Sequence, residues 1–409
     1  MRLFSDHYVQ ALDPADQAWV EKVRTLCRDR LGPMAADVGK ADRFAWDNFR
    51  LLAESGVVGT AFPAIYGGSD ASLRLRIRLI EELGRVCSAS ASIITGTDLS
   101  ARAIVAGASD DMKRELVPAL CTGRIQAAFA LTEPGAGSDV RGIATTARRS
   151  GEHYVVSGRK KFITRANTAD WLVVVARLEE ASEGRSAPRM VALLVPAKAP
   201  GVTISDEVGK LGWYGVPICE IVLADVEVPL AWRLGAEGDG FALAQDALVR
   251  ARIGHAAMAL GRAMGAVEIA AAYCNERETF GERLASHQGV QWMLAEMTTQ
   301  VEASRALLAN AAASYDRGDA DAPIQASMAK LHATDLGMRV VTDALQLTGG
   351  RGYLQAFPLE RFFRDAKLNQ IGEGASEVHK TVIGRHVVRR ARSAERHPCL
   401  PQGRAVEDW

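Results

Sequence analysis

The sequence predicts a mainly α-helical protein with a central β domain, and three observations lead to that fold class. Helical spacing of apolar residues dominates the first 123 residues, short segments rich in Val and Ile follow, and alanine-rich helical segments fill the rest. At 409 residues the chain exceeds one ordinary core. We expect an N-terminal helical domain (1–123), a β-barrel- or sandwich-like middle domain (124–235), a C-terminal four-helix bundle (236–390) and a loosely ordered tail (391–409).

Each region has its own pattern. In the first, apolar residues three and four apart recur in DQAWVEKVRTLCRDRL and SLRLRIRLIEELGRV. The second contains HYVVSGRKKFIT, DWLVVVARL, MVALLVPA and CEIVLADVEVP, which are short and bounded by turn residues, as strands are. The polar insert EEASEGRSAPR is expected to form a solvated hairpin tip. In the third, segments such as VQWMLAEMTTQVEASRALLANAAASYDRG contain few helix breakers, which favours an antiparallel bundle.

Composition limits the classes of partner. Lys plus Arg and Asp plus Glu both number 49, so the charge balance gives no support for binding nucleic acid or an anionic membrane. The six cysteines are far apart without a CxxC pair, and the eight histidines form no metal-like pair, so neither a metal site nor a disulfide framework is predicted. The N-terminus lacks the apolar segment of a signal peptide. We therefore expect a cytoplasmic protein that acts on small molecules or other proteins.

Four glycine-containing motifs stand at or after the joins between regions. FALTEPGAGSD, from Phe129 to Asp139, follows the first strand, and its glycines and hydroxyls suit a polar, planar or phosphate-bearing ligand. An ordinary Gly/Pro turn is the alternative, and the loop lacks the GxGxxG pattern of a Rossmann site. RETFG, from Arg277 to Gly281, is expected to close a helix, with Arg277 and Phe280 on one face; a simple helix cap is the alternative.

The last two motifs contain glycines that ordinary helices do not need. In QLTGGRGY, from Gln346 to Tyr353, three glycines follow a long helix, and one would suffice to end it. In IGEGASE, from Ile371 to Glu377, Glu373 lies between two glycines, each of which costs a helix about 1 kcal/mol. Close approach of a ligand or another chain to the backbone explains both patterns, although a solvated glutamate at a helix start is the alternative for Glu373.

Taken together, TEPGAGSD, RETFG, QLTGGRGY, ERFFRDAK and IGEGASE, in this order and at these separations, resemble the acyl-CoA dehydrogenase family. The resemblance implies FAD bound without a Rossmann fold, between the β domain and the C-terminal helices. The implied neighbours of the flavin are Phe129, Leu131, Thr132, Gly137, Ser138, Phe162, Thr164, Ala375, Ser376 and Glu377.

The resemblance also implies a homotetramer, a dimer of dimers, with FAD shared across a subunit interface. The residues implied to hold its adenosine diphosphate half are Arg277, Phe280, Gln288, Gln346 and Gly350. Such sharing would account for the glycines of QLTGGRG.

Glu373 matches the family's catalytic base, which removes the α-proton of an acyl thioester while the β-hydrogen leaves as hydride to flavin N5. An α-carbon is a poor acid, so this chemistry needs a weakly solvated carboxylate and hydrogen bonds to the thioester oxygen. In the family those bonds come from the backbone N–H of the base and a ribityl hydroxyl. The implied substrate contacts are Ser138, Val249, Arg252, Gly372 and Gly374.

Several residues depart from the family pattern. Some members carry the base just before the arginine that matches Arg252, but here Ala251 stands there, so Glu373 has no competitor. Val249 replaces an aspartate of many members, which weakens the expectation that free CoA is the carrier. Ala375 replaces a threonine, and Gly372 replaces a tyrosine, which widens the acyl pocket. In the family, the helix that matches this region lines the acyl pocket, and residues 88–101 contain no Lys or Arg that could bind a distal carboxylate. A dicarboxylic acyl group is therefore less expected.

Three functions stay open on the sequence. The first is an acyl-CoA dehydrogenase that makes a 2,3-enoyl thioester and passes electrons to an electron-transfer flavoprotein; its acyl group could instead ride on an acyl carrier protein. The second is an oxygen-using acyl-CoA oxidase of the same fold, whereas the intact EGAS segment argues against the related monooxygenases, which lack the base. The third is a flavin-free binding or assembly protein.

Overall fold

The computed structural model describes residues 3–179, 189–207, 209–393 and Cys399. The predicted order of helical, β and helical regions is confirmed. The predicted hairpin tip, from Glu179 to Arg189, lies outside the described residues except at its two ends. Most of the predicted tail also lies outside them, and its first residues belong to a helix that continues to Ser393.

The N-terminal region consists of helices that begin at recognisable caps. Side chains of Asp13, Ser72 and Ser109 accept the hydrogen bond from a backbone N–H in the first turn of α2, α5 and α7. A π-helical turn from Cys27 to Leu31 joins α2 to α3. The helices are α1 (His7–Gln10), α2 (Pro14–Leu26), α3 (Gly32–Val38), α4 (Trp46–Glu54), α5 (Leu73–Gly84), α6 (Ser88–Gly107) and α7 (Asp110–Cys121).

The middle region is one sheet in the order β6-β7-β3-β2-β4-β5-β8, with β1 paired to β4. Its strands are β1 (Ala127–Ala130), β2 (Thr146–Ser150), β3 (His153–Thr164), β4 (Trp171–Leu178), β5 (Met190–Pro196), β6 (Val202–Glu207), β7 (Ile218–Pro229) and β8 (Arg233–Leu234). Side chains of β3, β7, β4 and β5 share one apolar core. The barrel alternative is wrong, because the two end strands β6 and β8 do not pair with each other and the sheet stays open.

The C-terminal region contains three long helices and two shorter ones: α8 (Gly240–Glu276), α9 (Gln288–Asp316), α10 (Ala322–Gly352), α11 (Pro358–Ile371) and α12 (Ser376–Ser393). Apolar residues of α8, α9 and α10 join those of α2, α5 and α6 in the largest core. Each helix is therefore held mainly by the apolar face that it buries. No helix within the described ranges combines the length and apolar character needed to cross a bilayer.

RETFG differs from its prediction. Helix α8 ends at Glu276, and the motif forms a short hairpin of β9 (Glu278–Thr279) and β10 (Glu282–Arg283). Phe280 and Gly281 are its two turn residues, both at positive φ (54° and 81°), as a type I′ turn requires. Arg277 and Phe280 therefore do not share a helical face, because the turn geometry overrides the helical spacing.

Candidate active site

Glu373 lies in the short link between α11 and α12. Its φ is +56° and that of Gly374 is +94°, so two consecutive residues take the left-handed conformation. Glycine adopts this conformation freely, whereas for glutamate it is uncommon and persists only where the surroundings impose it. The link is thus a backbone segment held in place by its contacts.

Helix α10 supplies those contacts. Lys330 Nζ donates a hydrogen bond to the Gly374 carbonyl at 2.6 Å. Asp335 Oδ1 accepts from Gln370 Nε2 at 2.9 Å and from Ser376 Oγ at 2.7 Å, so one carboxylate ties the end of α11 to the start of α12. These bonds fix the direction in which the Glu373 side chain leaves the backbone.

Two cations lie close enough to act electrostatically on the Glu373 carboxylate. Burial raises the pKa of Glu373 above its ordinary range, and the positive charges of Arg252 and Lys330 oppose that rise. Burial also lowers the pKa of Lys330 to about 8. The Nε of Arg252 is buried and has no hydrogen-bond partner among the described residues. The arrangement describes a weakly solvated carboxylate whose charged form is favoured by two nearby cations.

His255 borders the same site. A Cβ added at Gly372 would lie 3.7 Å from His255 Cε1, an ordinary van der Waals contact. The imidazole stacks on the indole of Trp213, with ring centroids 5.7 Å apart. Burial lowers the pKa of His255 to about 3, so the ring is neutral at physiological pH. The side chain beside Gly372 is consequently a neutral aromatic ring rather than a charged group.

The TEPGAGSD motif lies in the loop between β1 and β2, and both of these strands pair with the same neighbouring strand, β4. β1 pairs with Trp171–Val174 of β4, and β2 pairs with Arg177 and Leu178. Lys160 Nζ occupies the gap between the two pairings, donating to the carbonyls of Val175 (2.7 Å) and Leu131 (3.1 Å) and to Glu133 Oε1 (2.7 Å). The buried ammonium group therefore makes hydrogen bonds in the gap where neither strand pairs with β4.

The KKFIT segment is bonded to this loop. The Lys161 N–H donates to the Thr132 carbonyl at 2.8 Å. Next to it Phe162 sits at a bulge in β3, with φ +58° and a side chain 57% exposed. Gly135 and Gly137 have open space where a Cβ would project. The hydrogen bond thus brings together the two segments that contain the predicted flavin neighbours Leu131, Thr132, Gly137 and Ser138 on one side and Phe162 and Thr164 on the other.

The five residues predicted for the adenosine diphosphate half lie on the surface, and Phe280 is 97% exposed. Near them Gly349 breaks the end of α10, with φ +56° and ψ −144°. Covering such a ring with another molecule would remove apolar surface from water, although single exposed apolar side chains are common on protein surfaces. The five residues are Arg277, Phe280, Gln288, Gln346 and Gly350.

The remaining predicted residues vary in burial. Phe129, Thr132, Thr164, Ala375 and Gly374 are partly buried, Leu131 and Ser376 are buried, and Ser138 and Glu377 are exposed. Val249, predicted at the carrier arm, is buried in the core shared by the α8–α10 helices and the N-terminal helices. Its surroundings are those of a core residue, so its predicted contact with the substrate gains no support.

Several residues with strained backbone conformations are also predicted site residues. Seven residues other than glycine have positive φ among those described, and three of them, Phe162, Phe280 and Glu373, were predicted from sequence as site residues. Such conformations cost about 1–3 kcal/mol each and cluster at functional sites. Their coincidence with the motifs indicates that the backbone there is shaped for a ligand.

Sequence reasoning missed Lys160, Lys330 and Asp335. A signal existed for Lys330, because it lies on the buried stripe of α10 with Ala326 and Ala333, four and three residues away. A lysine on an apolar stripe requires a partner. Its partner is 44 residues distant in sequence and could not be named in advance.

The residues present fit FAD. The open glycine loop leaves room for an approaching ring, Phe162 offers an exposed aromatic face beside it, and the unpartnered Arg252 Nε is a donor that the described residues do not use. The exposed Arg277 supplies a guanidinium suited to a pyrophosphate. Nothing in this donor set opposes the cofactor.

Comparison with known proteins agrees with this geometry. Models of the N-terminal, middle and C-terminal domains of acyl-CoA dehydrogenase match residues 13–124, 128–226 and 238–388. The chain is 38% identical to cyclohexane-1-carbonyl-CoA dehydrogenase of Geobacter metallireducens, over 91% of this chain and 97% of the relative.

Solved structures give the same result. Butyryl-CoA dehydrogenase from Megasphaera elsdenii has a TM-score of 0.87 at 32% identity, covering 92% of this chain and 99% of that one. A glutaryl-CoA dehydrogenase from Mycobacterium smegmatis in complex with FADH2 has a TM-score of 0.86 at 26% identity, covering 96% and 98%. The chain therefore belongs to the acyl-CoA dehydrogenase family, whose members are FAD-dependent oxidoreductases that act on the CH–CH bond of acyl-CoA.

Proposed function

We propose that the protein oxidises an acyl thioester to the 2,3-enoyl thioester with Glu373 as the base. One observation carries this proposal: a glutamate is held in a left-handed conformation between two glycines, and the positive charges of Arg252 and Lys330 act on its buried carboxylate. That arrangement supplies a base that is poorly solvated and fixed in direction, as removal of an α-proton requires.

The roles of the chain's own residues follow from their contacts. Glu373 takes the α-proton, and its carboxyl group carries that proton until solvent removes it. Lys330 and Asp335 hold the backbone of the link, so the carboxylate stays directed at one carbon. Bound FAD supplies the acceptor for the hydride that leaves the β-carbon. The backbone N–H of Glu373 is the donor that we expect to bind the thioester oxygen.

The finer features of the partners are also proposals. We propose an electron-transfer flavoprotein as the electron acceptor, a dimer of dimers as the assembly and the cytoplasm as the location. The exposed ring of Phe280 supports a surface that is covered in the assembly. A carrier-protein thioester is a minority alternative to acyl-CoA, since the replacement of aspartate by Val249 is its only support.

One experiment separates the main function from its alternatives. The purified protein is titrated anaerobically with acyl-CoA and matching acyl-carrier thioesters while flavin absorbance is followed. Bleaching of the flavin by a thioester supports the dehydrogenase. The reduced protein is then exposed either to air or to an electron-transfer flavoprotein, and rapid recovery of the flavin colour in air identifies an oxidase. A colourless protein that cannot be loaded with FAD contradicts the enzyme proposal altogether.

Substitution of Arg277 tests the shared cofactor. Arg277→Ala should lower FAD occupancy and loosen the oligomer together, because a forked donor to pyrophosphate is lost where two chains are proposed to meet. FAD content from absorbance and mass from light scattering measure the two effects. Arg283→Ala, on the exposed partner strand of the same hairpin, is the control. Unchanged FAD affinity in Arg277→Ala would show that this residue was assigned wrongly.

Substitution of Gly372 tests the acyl pocket. Its φ of −70° is open to any residue, and a Cβ would meet only ordinary contacts, so Gly372→Tyr should fold. The ring should fill space beside Glu373 and restrict the enzyme to short straight acyl groups. Discrimination in the parent should be gradual, because each buried methylene contributes about 0.8 kcal/mol. Specificity constants for straight and branched thioesters measure this, with Gly372→Ala as control; equal ratios in all three proteins would refute it.

Removal of Lys330 tests the electrostatics of the base. Burial raises the pKa of Glu373 and Lys330 lowers it, so Lys330→Met should raise it further. Because the base works only when deprotonated, the acidic limb of the kcat/KM profile should move to higher pH. Lys380→Met, which removes an exposed lysine of α12, should leave the limb in place. An acidic limb that stays in place in Lys330→Met would exclude electrostatic coupling between the two groups.

A further inference from the structure

Arg165 is a buried cation without a counter-charge. Its side chain is 4% exposed, and burial lowers its pKa to about 10 with no acidic group acting on it. Its Nε is buried without a hydrogen-bond partner among the described residues, and one terminal nitrogen donates a hydrogen bond to the neutral amide oxygen of Gln126 at 3.5 Å. The guanidinium carbon also lies 6.0 Å from the ring centroid of Phe44.

The other fully buried arginines of the described chain have a partner each. Arg76 pairs with Asp98 at 2.6 Å, Arg78 with Glu81 at 2.6 Å, and Arg305 with Glu302 at 3.0 Å. Arg262 donates to Asn369 Oδ1 at 2.7 Å and is attracted by Asp365. Arg165 therefore departs from the pattern of its own fold, and an uncompensated buried charge costs several kcal/mol.

The chain makes room for this guanidinium. Gly96 lies inside the long helix α6, where glycine costs about 1 kcal/mol relative to alanine. A Cβ at that position would lie 2.7 Å from a terminal nitrogen of Arg165. The backbone at Arg165 is also left-handed, with φ +60°. A glycine inside a helix and a left-handed backbone at Arg165, both locally unfavourable, thus allow the guanidinium to occupy this position.

A small cavity adjoins Arg165. It has about 10 Å³ available to the centre of a water-sized particle, which is about the minimum for one particle of that size. Thr97, Ser100 and Gln126 give it polar groups, and its other walls are apolar. None of the described residues that line it is acidic. The described lining therefore supplies no negative charge to Arg165, whereas a bound anion would.

The cavity is separate from the proposed acyl site. Thr95 of α6 faces Gly254 of α8, and Asp98 pairs with Arg250 of α8. Gly96, Thr97 and Ser100, which face Arg165 or its cavity, project from the opposite side of the same helix.

We propose that this cavity binds a small monovalent inorganic anion of the size of chloride, which neutralises Arg165. The anion would lie where α4, α6, α7 and the start of β1 meet. It would stabilise the junction of the helical and β regions one residue after Thr164, which is predicted to contact the flavin. The site is independent of the proposed reaction, so its test does not depend on activity.

Thermal unfolding of the FAD-loaded protein provides the test. Sodium gluconate is exchanged for sodium chloride or bromide at constant ionic strength. The parent should show a saturable rise in Tm of about 2 °C, whereas a neutral water in the cavity would give none. Arg165→Met should lose the rise, and Arg148→Met, which removes an exposed arginine from β2, should keep it. A rise of equal size in Arg165→Met, or no rise in the parent, would overturn the proposal.

A second measurement covers the case in which Arg165→Met does not fold. Crystals of the parent soaked in sodium bromide should show an anomalous peak beside the Arg165 guanidinium. The peak should weaken when chloride competes. Absence of a peak there would overturn the proposal regardless of the behaviour of the variant.

Discussion

Replacing Glu373 by glutamine is expected to lower the rate of flavin reduction by about 10²–10⁴-fold, the usual contribution of general base catalysis. The amide is nearly isosteric, so the link between α11 and α12 should keep its bonds to Lys330 and Asp335. It cannot accept the α-proton. FAD content and Tm should stay close to those of the parent, which separates lost chemistry from lost structure.

Stopped-flow reduction by the best thioester measures this effect under anaerobic conditions. Glu152→Gln, an exposed glutamate between β2 and β3, is the matched control and should reduce at the parental rate. Near-parental reduction in Glu373→Gln would mean that another group removes the proton.

Replacing Lys160 by methionine should have the largest effect on stability. It removes a buried ammonium that donates to two carbonyls and to Glu133, leaving that carboxylate buried without its cation. Breaking a buried pair in this way costs about 3–5 kcal/mol. Because Lys160 also holds the loop from Leu131 to Ser138, FAD should be lost at the same time.

Chemical denaturation and the ratio of FAD to protein measure the two consequences. Lys198→Met, an exposed lysine after β5, is the control. Adding Glu133→Gln to Lys160→Met should recover part of the stability, since the unpaired charge is then gone. If Lys160→Met unfolded like the parent and retained its FAD, the ammonium would contribute little to holding the loop.

The sequence predicted what depends on local pattern and missed what depends on distant contacts. The change from helical to strand spacing located the three regions, and the glycines around Glu373 marked the link. Lys160 could not be identified, because its carbonyl partners lie 29 and 15 residues away. RETFG misled for another reason: a phenylalanine rarely takes positive φ, so spacing alone favoured a helix.

Hydrogen bonds hold together the two ends of the loop that follows β1. Glu133 accepts hydrogen bonds from the backbone N–H groups of Ala144 and Thr145, at 2.6 and 3.0 Å, which joins the two ends of loop 134–143. Ala136 and Ile143 add a second anchor, because both are buried in an apolar core. Doubling the length of such a loop adds only about 0.6 kcal/mol of closure entropy. Insertions at its tip would leave the register of β1 and β2 intact. Additional residues at the exposed tip, from Gly137 to Asp139, would therefore lengthen the loop without disturbing the sheet that carries it.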